Sequence, residues 1–568
     1  MKNLNYLKKI IFDKTFFYSS IIIFFLGFLS TFLELIGLAS IPVLFSAFYD
    51  PNSIDDYFFI PNFITNIIKN GNLVLNISIL VTIIFLIKNL ILSFIYYFEA
   101  SFCKKINFFL TSKFYKMYIN SPYKLIYNHN SSTLIRYVLT DTQNTTIFIQ
   151  NFIVFLREII LVLFIVAYLF YSNFLTSIVI VIFLMLSVLS FYSLVRKRVN
   201  RFSTNIQEIE KKQMQNINEL FTSIEFLKTT NKEYFFSNTF NSLIKDIEKN
   251  RFYINFLTKI PKLFLEVAGV ASIIITVVVF NFIYEDQTAI LSFLVILGVS
   301  TLRLIPAFNL ITTSLVLMRS CSVSLRRLNI ELEIYNQKIQ KSENVKNFNN
   351  KIITANNLNI KNLSFSYENE KNYIFKDINF SMNSGESLLI IGKSGSGKTT
   401  LIKNILGLLE PTEGEINIDN ENIFSNLYAW RSQIGYIPQR VFLNDDSICK
   451  NIAFGIEEKN IDKDRVRECI KLVNLEEFVD KLDKKIDTKL KKIETQISGG
   501  QLQRIGIARA IYNKPLILIM DEPTSSIDEE TELNILNSLK NIKTVKFKII
   551  VSHRKKTKDF CDKMISFN

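Results

Sequence analysis

Eight consecutive residues, Gly392-Lys393-Ser394-Gly395-Ser396-Gly397-Lys398-Thr399, have the spacing G-x-x-x-x-G-K-[ST]. That pattern cradles phosphate. Glycines let backbone N–H groups turn inward onto oxygens, and the N-terminus of a following helix adds partial positive charge. Lys398 has the reach and charge for β- and γ-phosphates, and the Thr399 hydroxyl suits Mg²⁺. The apolar run Ser387–Ile391 before the loop reads as a buried strand, and Thr400–Leu409 after it has helical spacing. A glycine turn ahead of a helix is the alternative. In a chain with only 16 glycines, three within one strand–loop–helix context favour a nucleotide site.

The elements that position this loop belong to the second part of the chain. Residues 335–352, rich in Asn, Lys and Gln, read as a linker, and 353–568 as a globular domain. Ile353–Tyr367 and Ile374–Asn383 alternate apolar and polar residues as strands do. Gly414–Asp419 is a short strand, and Ile434–Gln439 is a strand ending in a glutamine. Ile497-Ser498-Gly499-Gly500-Gln501 opens a helix through Ala510. Pro515–Met520 and Phe547–Val551 are continuous apolar runs, as expected of buried parallel strands. The first ends in Asp521-Glu522 and the second in Ser552-His553.

The first part has a different composition. Most of the chain's 51 phenylalanines fall there. Apolar blocks near 16–48, 73–98, 149–170, 174–195, 263–283 and 287–316 each approach the ~20 residues that span ~30 Å of hydrocarbon. Six such blocks predict an all-α transmembrane domain over 1–334. The first, preceded by Lys8, Lys9 and Lys14, is too long for a signal-peptide core and has no small-residue cleavage site after it. Segments 101–148 and 196–262 are rich in Lys and Arg, whereas 49–72, 171–173 and 284–286 are not. The positive-inside rule therefore places both termini and both long segments in the cytoplasm.

The net charge of +15 follows from this topology rather than from nucleic-acid binding. The helices are expected to continue into the cytoplasm, interrupted at Ser121–Asn128 and near Thr229–Glu233, where a partner domain can dock. Residues 49–72 read either as a short helix at the outer surface or as a connecting loop. Five scattered cysteines and two histidines indicate neither a disulfide framework nor a metal cluster.

Cations inside membrane blocks are costly and mark function by default. Lys88 and Arg303 lie roughly 20–24 Å from the outer surface at 1.5 Å per residue. Lys262 falls at the cytoplasmic end of its block. The three can ring a cavity for an anionic headgroup. They can equally snorkel to the interface or pair with Glu34, Glu158 or Glu266.

With these motifs in order, 353–568 resembles the nucleotide-binding domain of an ABC transporter, and the whole chain resembles an ABC exporter half-transporter. The resemblance implies a P-loop α/β ATPase domain behind six membrane helices, with ATP and Mg²⁺ as cofactors. Tyr367 matches the adenine-stacking aromatic. Gly392–Thr399, followed by Thr400, matches Walker A. Gln439 matches the Q-loop and Ile497–Gln501 the signature, with Ile for Leu. Leu516–Asp521 matches Walker B, Glu522 the catalytic glutamate, Ser525–Asp528 the D-loop and His553 the switch histidine. Carried over residue by residue, Glu522, His553 and Lys398 are catalytic, and Thr399, Gln439 and Asp521 hold Mg²⁺. Ser498, Gly499, Gly500, Gln501 and Asp528 contact ATP held by another copy.

One copy of each motif implies a homodimer, multi-pass in the inner (plasma) membrane, with ATP hydrolysis coupled to transport. One departure stands out. Thr488-Lys489-Leu490-Lys491-Lys492-Ile493-Glu494 replaces the family's T-x-V-G-E-x-G-like segment, which touches the membrane domain. The membrane half is similar to bacterial flippases of lipid-linked oligosaccharides around Lys88, Ile260-Pro261-Lys262 and Arg303-Leu304-Ile305-Pro306. That similarity implies a polyprenyl-pyrophosphate glycan as substrate. Another lipid, drug or peptide, or a membrane-anchored ATPase that moves nothing, stays open.

Overall fold

The computed structural model describes residues 16–49, 73–127, 129–172, 174–283, 287–340, 356–367, 372–490, 497–522, 529–540, 542, 544–552 and 556–567. The chain divides into two compact units. One holds Met1–Ser121 and Tyr127–Lys338, the other Pro122–Ile126 and Ile339–Asn568. The first interruption of the helical region, Ser121–Asn128, thus contributes residues that group with the C-terminal unit. There Tyr123 packs on the apolar core and Lys403 Nζ lies 5.8 Å from its ring centre.

In the N-terminal unit the described residues include six long helices. They are α1 (Phe17–Tyr49), α2 (Leu73–Ile119), α3 (Thr142–Ser172), α4 (Phe174–Thr222), α5 (Glu233–Ile283) and α6 (Gln287–Gln340). Four stretches among the described residues are long and apolar enough to cross a membrane: Phe17–Pro42, Val74–Ile119, Ser131–Tyr171 and Val295–Gln337. Their outward faces carry Phe24, Leu86, Leu90 and Phe94, exposed as a lipid-facing surface would be. Between helices, Leu161, Leu297, Leu304 and Ala307 pack into one apolar cluster, and Phe102, Ile106, Phe148 and Leu325 into another.

The helices run well past the apolar blocks that announced them, and α6 continues to Gln340, into the stretch that reads as linker. The second interruption is real. Asn231 adopts φ 54° as a left-handed cap between Ile224–Thr230 and α5. The outer segment lies outside the described residues apart from Tyr49.

The C-terminal unit holds two sheets. The antiparallel one joins β1 (Asn357–Phe365), β2 (Phe375–Asn383), β4 (Glu413–Ile418) and β5 (Glu421–Asn422) in the order β2-β1-β4-β5. The second joins β3 (Ser387–Gly392), β6 (Ile434–Ile437), β7 (Ile517–Asp521), β8 (Phe547–Val551) and β9 (Lys563–Phe567) in the order β6-β7-β8-β3-β9, parallel throughout. Every residue of β7 and β8 is buried. Strands covered on both faces need the unbroken apolar runs seen in the sequence. Helix α7 (Lys398–Ile405) follows the phosphate loop, and α8 (Gly499–Tyr512) follows Ser498.

Parallel pairing matters for function because it brings every carboxyl end to one edge. That edge collects Gly392 from β3, Gln439 just past β6, Asp521-Glu522 from β7 and Ser552 after β8.

Candidate nucleotide site and the membrane cations

At the end of β3 the backbone turns through Gly395 (φ 83°) and Gly397 (φ 99°). Glycine is needed at Gly397 for two reasons. Its φ is left-handed, and a Cβ there would come within 2.8 Å of Ile374 Cγ2. Lys398 is buried, and its Nζ donates to the carbonyls of Gly392 and Lys393, both at 2.8 Å. The ammonium is thus folded over the loop that would receive phosphate. Ser396 Oγ is buried without a hydrogen-bond partner among the described residues. An orphaned hydroxyl and an ammonium held over the loop by its carbonyls fit a triphosphate.

Asp521, 4% exposed, closes the site from β7 and accepts a hydrogen bond from the Thr399 hydroxyl. Burial, and then the neighbouring Glu522, push its carboxyl above the usual range, while Thr399 and Lys398 pull it down. The acid–hydroxyl pair Asp521/Thr399 is the oxygen-donor set that suits Mg²⁺. Glu522 sits at φ 49°, left-handed and costly for a non-glycine residue, and its N–H donates to Val551 O at 3.0 Å. Its Oε2 accepts from Gln439 Nε2 at 2.6 Å. Tyr367 lies beside the loop, its hydroxyl 3.5 Å from Thr400 Oγ1 and its ring edge-on to Phe365.

Ser498 caps α8. Its Oγ accepts from Gln501 N at 3.2 Å, and Gln501 Oε1 accepts from Ser498 N at 2.9 Å. This reciprocal cap leaves Ser498 and Gly499 exposed at a helix N-terminus. Asp528 and His553 lie outside the described residues, as do Lys491–Glu494 of the altered segment. The described start of that segment is tied down. Lys489 bridges to Ser447, and Thr488 O accepts from Ile448 N at 3.1 Å. A link that sequence reading missed is Arg509, which donates to Phe442 O and to Asn451 O and Oδ1. It pins the stretch after Gln439 to α8. Its only signal was an arginine within the apolar run Ile505–Ile511.

In the N-terminal unit, Lys88 and Arg303 line one cavity of about 400 Å³ together with Glu34 and Tyr96. Arg303 is ion-paired with Glu34, its Nε donating to Glu34 Oε2 at 2.6 Å. Lys88 Nζ lies 4.3 Å from the Phe85 ring centre. Lys262 is not among that cavity's lining residues. It is exposed and pairs with Glu266 on its own helix at 3.7 Å. Depth along the sequence did not reveal the neighbouring cluster, in which Arg157 holds both oxygens of Glu99 at 2.9 Å and Glu158 at 3.2 Å.

Comparison with known proteins agrees with this geometry. Residues 375–525 match the family model described as ABC transporter. The chain is 36% identical over 212 residues to ABC transporter B family member 13 of Arabidopsis thaliana, covering 37% of this chain and 17% of that protein. It is 35% identical over 209 residues to a probable ABC transporter ATP-binding/permease protein of Haemophilus influenzae, 37% of each chain. It is 34% identical over 204 residues to the ATP-dependent lipid A-core flippase of Alkalilimnicola ehrlichii, 36% of this chain and 34% of that one. These matches span between about a sixth and just over a third of the relatives' lengths.

A solved bacterial Atm1-family ABC exporter with ATP bound superimposes with TM-score 0.77 at 16% identity, covering 95% of this chain and 92% of that one. The fold is therefore that of an ABC exporter: a helical membrane-type unit followed by an α/β nucleotide-binding unit.

Proposed function

We propose that the protein is the ATP-hydrolysing half of a homodimeric exporter and flips a polyprenyl-pyrophosphate-linked glycan from the cytoplasmic to the outer leaflet of the inner membrane. Bound Mg²⁺–ATP would supply the phosphoanhydride bond and positive charge to offset that of the phosphates. The chain's own groups do the rest. Lys398 and the loop amides bind phosphate, and Thr399, Asp521 and Gln439 would hold the metal. Glu522 takes the proton of an attacking water, with His553 orienting it. In this reading exposed Ser498 and Gly499 form an anion site that serves the phosphate loop of the other copy, so a second copy completes each site.

The observation that carries the substrate reading is the pairing of Lys88 and Arg303 in one cavity within the helical unit. Cations at that depth suit a pyrophosphate. Relatives named lipid A-core flippases favour a lipid over a drug or peptide. The test is translocation of a fluorescent pyrophosphate-linked glycolipid in vesicles. The variant Lys88→Ala with Arg303→Ala loses translocation and keeps basal ATP hydrolysis, while Lys262→Ala has the smaller effect. Unchanged translocation in the double variant would overturn the substrate. An absence of translocation by the unaltered chain, with ATP hydrolysis intact, would favour a different amphiphile or a membrane-anchored ATPase.

A further inference from the structure

Two cavities open along α1 and α2, the first closed by α6 and the second by α3. The larger, about 1120 Å³, is lined by Phe16 just before α1, by Ser19, by Lys104, Lys105, Lys113 and Lys116 from α2, and by one carboxylate, Glu333 of α6, so its lining is net positive. The smaller, about 340 Å³, begins one residue further along α1 at Ser20 and is walled by apolar side chains such as Phe24, Phe102, Phe152 and Leu156. Their level relative to the membrane follows from packing. Phe16, where the apolar run of α1 starts, meets Phe102 and Phe109 edge-on at 6.2 and 5.0 Å between ring centres. Lys104 and Lys105 therefore sit level with the entry of α1, at headgroup height, and the apolar slot extends from there into the bilayer. Lys113 and Lys116 lie about two to three turns further along α2 and extend the positive field toward the cytoplasm.

Most of the other cations of this unit described above are paired, Lys88 excepted, which has the Phe85 ring beside it. Arg303, Arg157 and Lys262 each have a carboxylate partner within the chain. Among the described residues Lys104, Lys105 and Lys116 form no ion pair, and Lys113 has only the Phe109 ring at 5.3 Å. Arg157, at the far end of the slot, is already neutralised by Glu99 and Glu158, so the slot attracts no anion of its own. A Cβ built on Gly27, which lines the slot, meets nothing within 4 Å. The wall is open there.

We propose that these two cavities form a binding site for an anionic glycerophospholipid of the cytoplasmic leaflet, its phosphate against Lys104 and Lys105 and one acyl chain in the slot past Gly27. Charge complementarity selects the headgroup, and the apolar slot, whose Ser20 and Phe102 neighbour Ser19 and Lys104 along α1 and α2, selects a lipid over a free phosphate. The site is separate from the Lys88–Arg303 cavity and does not depend on what that cavity carries.

The test uses the full chain purified in a neutral detergent. Retained phosphatidylglycerol and phosphatidylcholine are counted by native mass spectrometry in the unaltered chain, in Lys104→Gln with Lys105→Gln, and in Gly27→Phe. The unaltered chain retains phosphatidylglycerol preferentially. The lysine variant loses that preference by about 25-fold, roughly fivefold per lysine. Gly27→Phe loses retention while ATP hydrolysis in detergent stays unchanged. Retention that survives Gly27→Phe would overturn the acyl slot. Loss of the dimer in Gly27→Phe would make the slot an interface between copies and overturn the proposal. A pyrophosphate-linked glycolipid that displaces phosphatidylglycerol at equal concentration would assign the site to the transported substrate and overturn it as well.

Discussion

The side-chain amide of Gln439 donates to the carboxylate of Glu522 across 2.6 Å, joining the ends of β6 and β7. Neither side chain is deeply buried, so the contact persists because the strands present both groups at the same edge. Glu522 is further fixed by its left-handed backbone and by its N–H bond to Val551 O. The carboxylate is thus aimed from two directions. Gln439 leads into the stretch that Arg509 anchors to α8, which links Glu522 to the helix that Ser498 caps.

Replacing Glu522 by Gln keeps the amide contact within reach and removes the proposed base. ATP turnover is expected to fall about 10²–10⁴-fold while ATP binding persists. Gln439→Ala frees the carboxylate without neutralising it, so turnover falls less and its metal dependence weakens. Measuring turnover and nucleotide affinity on both variants checks this. A Glu522→Gln chain with near-normal turnover would move the base elsewhere.

The Arg157 cluster tests how much a charge network stabilises the helical unit. Arg157 is shared by Glu99 and Glu158, with side-chain exposures of 11%, 14% and 2%. Arg157→Leu strands two carboxylates in a low-dielectric setting and should cost about 3–5 kcal/mol. Glu99→Gln leaves the arginine one partner and costs less, about 1–3 kcal/mol. Thermal unfolding of the two variants in detergent should rank them in that order. The reverse ranking would mean that the network is already hydrated.

Sequence reading reached the elements whose pattern is local. The phosphate loop, the all-apolar β7 and β8 and the signature helix were visible because glycine spacing and unbroken apolar runs are written in adjacent residues. Pairings that depend on tertiary approach were not. Gln439 and Glu522 were each assigned a role, yet nothing in their neighbourhoods announced that they touch. Lys88, Lys262 and Arg303 were grouped by depth along their helices. Depth fixes height but not azimuth, so Glu34, Glu158 and Glu266 are all candidate partners in the sequence, and the structure selects Glu266 for Lys262 and Glu34 for Arg303. Arg157 was overlooked for the same reason, since Glu99 supports it from a different helix.

The strand that leads into the phosphate loop starts with a titratable clamp. Ser387 donates to Asp562 Oδ2 through its hydroxyl at 2.7 Å and its N–H at 2.8 Å, and these bonds hold the Asp562 carboxyl below its ordinary range. A depressed folded-state pKa means the folded chain binds fewer protons than the unfolded chain between the two values. The contribution is therefore complete above the usual carboxylate range and lost as pH falls through the depressed value. Asp562 is exposed, so the loss in Asp562→Asn is held to about 1 kcal/mol at neutral pH. Trp430, the chain's one tryptophan, is buried in this unit and reports its unfolding. The two chains should differ at neutral pH and converge in acid. A gap that persists in acid would point to packing instead of charge.

Ser498 is expected to do two things that substitution can separate. It caps α8 through its Oγ and, in the proposed dimer, faces the phosphates held by the other copy. Ser498→Ala removes the cap at a cost of about 1 kcal/mol and removes the hydroxyl donor as well. Ser498→Asp restores a good cap, since a carboxylate accepts from the same N–H groups and favours the helix N-terminus. It also puts negative charge where phosphate oxygens would lie. The aspartate variant should unfold like the unaltered chain and bind ATP at Lys398, yet show little ATP turnover and no ATP-induced closure of the two copies. Turnover that tracks helix stability across both variants would mean that Ser498 only caps, and that the second anion site is formed by the glycine amides alone.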